Sequence, residues 1–240
     1  MREAGAGTVI VTSAGPSDGK SVTALNLAIA ALQDGRKVLL VDADERMRQL
    51  TRDSGVNPSP GLTDVADERI PYEGCQSIWK LSDRIQIPFM SAGTPLTDPA
   101  SYFRSPGFRR AMGRIRAHAD LVLVDSPPLL AVADASAIAA QVDAVVVVVN
   151  YGTSLKVLDE VRHRLDFIGT PLIGYVFNRA PASGSGYGYY RYGYTYGRTA
   201  EDAVVNGKGE SRSRRARRRD KDQLPPAPAL PQPSRPQPSR

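Results

Sequence analysis

The chain has 240 residues, 41% apolar and 23% charged, with a single cysteine and a formal net charge of +6. One cysteine excludes an intramolecular disulfide and any multi-cysteine metal centre, and no strictly apolar run exceeds six residues, far below the about 20 needed to span a bilayer. Residues 181–240 hold 12 Lys and Arg against 5 Asp and Glu while the rest is close to neutral, which argues against a basic folded domain built to read nucleic acid and for a neutral domain with a basic tail. Met1–Gly7 lacks the charged-then-apolar layout of a signal peptide, so the expected compartment is the cytoplasm.

Strand and helix signals alternate from residue 8 to about 180. Thr8–Thr12 is a β-branched run that leads into a glycine-bearing turn. Ser21–Gln33 places Val22, Leu25, Ile29 and Leu32 at helical spacing, and Asp34-Gly35 stops it. Val38–Val41, Leu121–Val124 and Val145–Val149 are continuous apolar runs, the signature of strands buried on both faces of a parallel sheet. Residues 51–104 carry six prolines and are expected to form an insertion over one end of the sheet. Ser105–His118 and Ser154–Phe167 are predicted helices, and Leu172–Phe177 is a further strand. The pattern predicts an α/β fold with a doubly wound, mostly parallel sheet.

Composition changes after Pro181. Six tyrosines (Tyr187, Tyr189, Tyr190, Tyr192, Tyr194 and Tyr196) are interleaved with small residues, Arg212–Arg219 holds six arginines, and Leu224–Arg240 holds seven prolines. Such a stretch cannot bury a core and is expected to be disordered or polyproline-like. The expected domains are 1–182, a tyrosine-rich cluster at 183–198, and an Arg- and Pro-rich tail at 199–240. His118, His163, Cys75 and Trp79 receive no functional role.

Ala14-Gly15-Pro16-Ser17-Asp18-Gly19-Lys20-Ser21 fits the phosphate-loop pattern, with alanine in its first position and the required strand before and helix after. Loop N–H groups and the helix N-terminus can cradle phosphates. Lys20 can reach the β and γ oxygens, and Ser21 can ligate Mg²⁺. Two apolar strands end in carboxylates: Val38–Val41 runs into Asp42-Ala43-Asp44-Glu45-Arg46, and Leu121–Val124 into Asp125-Ser126-Pro127-Pro128. Ligands of open α/β sheets sit beyond such strand ends, and aspartates there can hold a cation. Asn178-Arg179-Ala180-Pro181 lacks the lysine and aspartate of a guanine-reading signature, whereas Asn178 could present its amide to adenine. The expected ligands are therefore ATP and Mg²⁺.

With these motifs in this order, the chain resembles the bacterial tyrosine kinases (BY-kinases) of capsular and exopolysaccharide export, P-loop NTPases of the MinD/ParA-like group. Ser13–Ser21 resembles their Walker A, Val38–Arg46 their Walker A′ and Leu121–Pro128 their Walker B. Gly61–Val65, Ala92-Gly93 and Ser105–Arg109 resemble their linking segments, and the tyrosine cluster resembles their autophosphorylation cluster. The likeness covers residues 8–197.

The resemblance implies an ATP-dependent protein-tyrosine kinase. It implies that Gly15 to Val22 and Asn178 bind the nucleotide and that Lys20 holds phosphates. It further implies that Ser21, Asp42, Asp44 and Asp125 surround Mg²⁺, with Asp42 and Asp44 activating the tyrosine hydroxyl. The six tyrosines become phosphorylation sites, with transfer largely between subunits. Implied partners are a transmembrane polysaccharide co-polymerase that activates the kinase, further copies of the chain, and protein-tyrosine substrates. Contact with the inner membrane face would run through that partner or the basic tail. Only Met1–Gly7 precede the first strand, so the Glu-x-x-Arg-x-x-Arg assembly segment that family members carry there is not in this sequence. Two other readings stay open: a MinD/ParA-type ATPase switch, although Gly15 stands where that group has its signature lysine, and a nucleotide-binding adaptor with an interaction tail.

Overall fold

A computed structural model describes residues 7–66 and 70–180. Seven strands form one sheet: β1 (Gly7–Ser13), β2 (Val38–Asp42), β3 (Ser77–Lys80), β4 (Gln86–Met90), β5 (Leu121–Asp125), β6 (Ala144–Asn150) and β7 (Leu172–Asn178), in the order β3-β4-β2-β5-β1-β6-β7. All neighbours are parallel except β3, which runs antiparallel to β4. The expected doubly wound α/β sheet is therefore present. The five strands read from apolar runs each lie within a residue or two of their predicted bounds.

Alternate residues of the central strands feed opposite layers. Val11, Val38, Leu40 and Leu123 face α1 (Lys20–Gln33) and α2 (Gln49–Ser54), where Ala24, Ala28 and Leu50 are buried. Ile10, Leu39, Val41, Val122 and Val124 face the opposite layer of α3 (Pro99–Arg104), α4 (Pro106–Arg116), α5 (Ala133–Ala139) and α6 (Leu155–Ile168). Burial on both faces explains why these strands read as unbroken apolar runs. Helix starts are built locally. Ser105 Oγ accepts from the Phe108 N–H at 3.2 Å with Pro106 in the first turn, and Asp98 caps α3 ahead of Pro99. A cap of this kind contributes about 1 kcal/mol.

Two details differ from the sequence reading. The fully buried apolar residues of α1 are Ala24 and Ala28; Leu25, Ile29 and Leu32 of the predicted face pack partly buried against the same layer, whereas Val22 is 62% exposed. Small residues let the helix approach the sheet closely, and its first turn overhangs the strand ends. Residues 51–104 are also more than a cover over one end. They supply α2, α3 and the strands β3 and β4, which extend the sheet beyond β2. Pro88 is tolerated in β4 because pairing with β2 begins only at Phe89. Tyr72 stacks on His118 with ring centroids 4.0 Å apart, a packing contact for that histidine. Among the described residues no helix is long and apolar enough to cross a membrane. The tyrosine cluster and the Arg- and Pro-rich tail lie outside the described residues.

Candidate active site

β1 ends at Ser13 in the middle of the sheet, flanked by β5 and β6, and the chain turns there into the loop 14–19 and α1. The turn uses left-handed backbone twice, at Ser17 (φ 61°) and Gly19 (φ 95°). For a serine this costs about 1–2 kcal/mol, and it persists where the surroundings over-determine it. Ser13 Oγ donates to Gly15 O at 2.7 Å and Asp18 Oδ2 accepts from the Gly15 N–H at 3.0 Å, closing the loop on itself. Gly19 is required twice over. A Cβ there would also lie 2.2 Å from Asn178 Nδ2. Pro16 and Ser17 are exposed, whereas Asp18, Lys20 and Ser21 are buried.

The acidic strand ends stand beside this loop. Asp42 and Asp125 close β2 and β5 in register with each other, and Val11 of β1 pairs with Asp125. Lys20 Nζ approaches Asp44 Oδ2 at 3.1 Å, an ion pair without hydrogen-bond alignment, with both side chains buried. Phosphate loop, Walker A′-like and Walker B-like segments are thus brought to one place.

The two in-register carboxylates differ sharply. Asp42 is saturated: Oδ2 accepts from the Thr51 N–H and Thr51 Oγ1, both at 2.8 Å, and Oδ1 accepts from the Asp44 N–H at 3.1 Å. Burial raises its pKa against those bonds. Asp125 is fully buried and neither carboxylate oxygen has an aligned hydrogen-bond partner. Burial pushes its pKa up to about 8, opposed by the adjacent Ser21 hydroxyl and then Lys20, while Asp42 and Asp44 add to the rise. A bare buried carboxylate beside a loop serine fits a Mg²⁺ ion. Such ions take one or two carboxylates plus substrate phosphates rather than a full protein cage. Among the described residues no three His, Cys, Asp or Glu side chains form a ready cation cage.

Two of the linking segments, Gly61–Val65 and Ala92-Gly93, meet next to Asp42. Thr51 Oγ1 accepts from the Ala92 N–H at 3.0 Å, and the Leu62 and Thr63 N–H groups donate to Ser91 O and Ala92 O. A Cβ on Gly61 would fall 2.3 Å from Ser91 O. Arg48 pairs with buried Glu45 and donates to Gly93 O at 2.9 Å. Arg46 reaches from the Asp42–Arg46 segment to buried Asp134 of α5 at 2.8 Å.

Asn178 sits at the end of β7 as expected, but its amide is engaged with protein. Nδ2 donates to Asp18 O at 2.9 Å and Oδ1 accepts from the Arg179 N–H at 2.9 Å. Sequence reasoning did not single out Thr51, Asp134 or Asn150. Only Asn150 had a signal, a polar residue closing an apolar run like Asp42 and Asp125.

A glycine-bearing loop on a helix N-terminus, with a lysine and carboxylates at neighbouring strand ends, one of them bare, defines a P-loop nucleotide-binding protein. Residues 9–186 match the CobQ/CobB/MinD/ParA nucleotide binding domain. The chain is 35% identical over 182 residues to the putative tyrosine-protein kinase EpsB of Ralstonia solanacearum, covering 74% of this chain and 24% of EpsB. It is 33% identical over 172 residues to the tyrosine-protein kinase YwqD of Bacillus subtilis, covering 71% of each. The kinase domain of the Escherichia coli tyrosine kinase ETK superposes with a TM-score of 0.66 at 26% identity, over 79% of this chain and 74% of that one. The chain therefore belongs to the CobQ/CobB/MinD/ParA nucleotide-binding family and, within it, to the bacterial tyrosine kinases. It spans about a quarter of the length of the EpsB relatives.

Proposed function

We propose that this chain is an ATP- and Mg²⁺-dependent protein-tyrosine kinase that phosphorylates the tyrosines of its own C-terminal cluster. It would act beside a membrane-embedded co-polymerase in capsular or exopolysaccharide export. The observation that carries the reading is the convergence of Lys20, Asp44 and the bare Asp125 at the phosphate loop.

Ser21 and Asp125 would hold Mg²⁺, which supplies charge neutralisation on the phosphates. Lys20 would exchange Asp44 for phosphate oxygens, which frees that carboxylate. Asp44 is then the better placed of the Walker A′-like pair to accept the tyrosine proton, because Asp42 is committed to Thr51. The tyrosine oxygen bonds to the γ-phosphorus, the bond to the bridging oxygen breaks, and ADP leaves with that electron pair. Such transfer is governed by positioning and charge more than by covalent help.

The test is phosphotyrosine mapping on purified protein incubated with Mg-ATP. Label on Tyr187 to Tyr196 that disappears in Lys20→Met is expected. ATP hydrolysis without phosphotyrosine would favour an ATPase switch, and nucleotide binding without turnover an adaptor.

A further inference from the structure

Asp18, in the middle of the phosphate loop, is the meeting point of three elements. Its Oδ1 accepts from Asn150 Nδ2 at 2.7 Å, its Oδ2 from the Gly15 N–H at 3.0 Å, and its carbonyl from Asn178 Nδ2 at 2.9 Å. Asn150 and Asn178 are register partners at the ends of β6 and β7. A carboxylate and a carbonyl only accept, so each fixes which end of the facing amide points at the loop. The two left-handed residues of the loop, Ser17 and Gly19, flank Asp18 on either side. Asn150 Oδ1 is buried without a partner, so this amide lies here for its donor and not as part of a satisfied core network.

We propose that Asp18 is a positioning residue and Asn150 its partner: together they clamp the phosphate loop in the shape that receives a nucleotide. Resting on the nucleotide-binding reading above, the clamp deepens it by naming what prepares the loop. A strained turn must be held from outside, and here the holding groups come from strands on the side away from the acidic pair. Alanine at position 18 would leave the Gly15 N–H and the Asn150 amide unpaired together. Aspartate at position 150 would set two carboxylates against each other. The exchange Asp18→Asn with Asn150→Asp rebuilds both bonds. The amide introduced at position 18 would donate to the carboxylate introduced at position 150 and still accept from the Gly15 N–H.

The experiment uses the full chain with four variants: Asp18→Ala, Asn150→Ala, Asn150→Asp, and the Asp18→Asn/Asn150→Asp exchange. Amide hydrogen exchange of residues 15–21 is read without nucleotide. Affinity is then read with a non-hydrolysable ATP analogue and Mg²⁺, and KM for ATP and kcat are separated. In Asp18→Ala and Asn150→Ala, faster exchange confined to the loop is expected. KM should rise about 10- to 100-fold, the scale of one lost charge-assisted hydrogen bond, with a smaller change in kcat. Asn150→Asp should be the worst variant, and the exchanged pair should recover most of the loss in both readouts. Loop exchange unchanged in both alanine variants, or an exchanged pair no better than Asn150→Asp, would overturn the clamp. If the unaltered chain binds no nucleotide, the functional reading fails, while loop exchange still decides the clamp.

Discussion

Asp42 and Asp125 end neighbouring strands, pair in register and are both fully buried, yet one accepts three hydrogen bonds and the other none that is well aligned. The carboxylate at the end of β2 joins strand, α2 and the Gly61–Gly93 linking segments into one frame. Its neighbour at the end of β5 carries an uncompensated desolvation cost. Bare buried carboxylates are expensive, and a cation arriving with a phosphate ligand would relieve the cost. Two identical side chains at equivalent positions thus divide into one tied by hydrogen bonds, a structural latch, and one left bare, which we propose as the ligand-ready group.

The largest effect is expected at the lysine that stands between the phosphate loop and Asp44. Lys20→Met should abolish tail phosphotyrosine, a loss of at least about 10³-fold if phosphate charge is neutralised mainly there, and should also lower the melting temperature, because buried Asp44 loses its counter-ion. Phosphotyrosine by mass spectrometry checks the first and thermal unfolding the second.

The latch is sharpened by Thr51→Val. It removes the hydroxyl that donates to Asp42 and accepts from Ala92, leaving buried polar groups unpaired. A cost of about 2–3 kcal/mol in stability is expected, measured by urea unfolding at pH 7.

Asp125 makes the opposite prediction for pH. With no cation beside it, its carboxyl has a raised pKa of about 8 against an ordinary value of 3.8. Between those values the folded chain holds a proton that the unfolded chain has lost. The stability it confers is fully present below about pH 4, declines as pH rises, and is gone above about 8. The ligand-free melting temperature should therefore fall from about pH 5 to about pH 8.5. Asp125→Asn should make that fall shallower and raise stability at about pH 8, though it removes the proposed Mg²⁺ ligand. Asp42 and Glu45, also raised by burial, leave a residual slope of the same sign.

The smallest effect expected is on the basic tail. Six phosphotyrosines add about −9 to −12 in charge, enough to turn the 181–240 segment from net basic to net acidic. Sedimentation with anionic vesicles should show weaker binding of the phosphorylated form at low salt; equal binding of both forms would leave the arginines without an electrostatic role.

Legibility in the sequence follows the same division. β1, β2, β5 and β6 were readable because burial on both faces writes short apolar runs, β7 because its sequence is apolar and β-branched or aromatic even where Ile173, Tyr175 and Phe177 are exposed, and the phosphate loop because its chemistry demands glycine, lysine and a hydroxyl at set spacing. Asp42 and Asp125 were both readable as strand-end carboxylates, but their difference was not. It depends on Thr51, nine residues on, folding back over β2, a tertiary event with no local pattern. β3 and β4 were hidden by Pro88 and their brevity, and α5 by a stretch of small residues whose burial only the neighbouring helices explain. The clamp at Asp18 was hidden because its partners lie 132 and 160 residues away.

The most direct test is Mg²⁺ dependence of nucleotide affinity, measured with a non-hydrolysable ATP analogue in the unaltered chain, Asp125→Asn and Asp42→Asn. Mg²⁺ is expected to tighten binding in the unaltered chain and in Asp42→Asn but to have little effect in Asp125→Asn. Loss of the Mg²⁺ effect in Asp42→Asn with its retention in Asp125→Asn would contradict the division between latch and ligand-ready carboxylate.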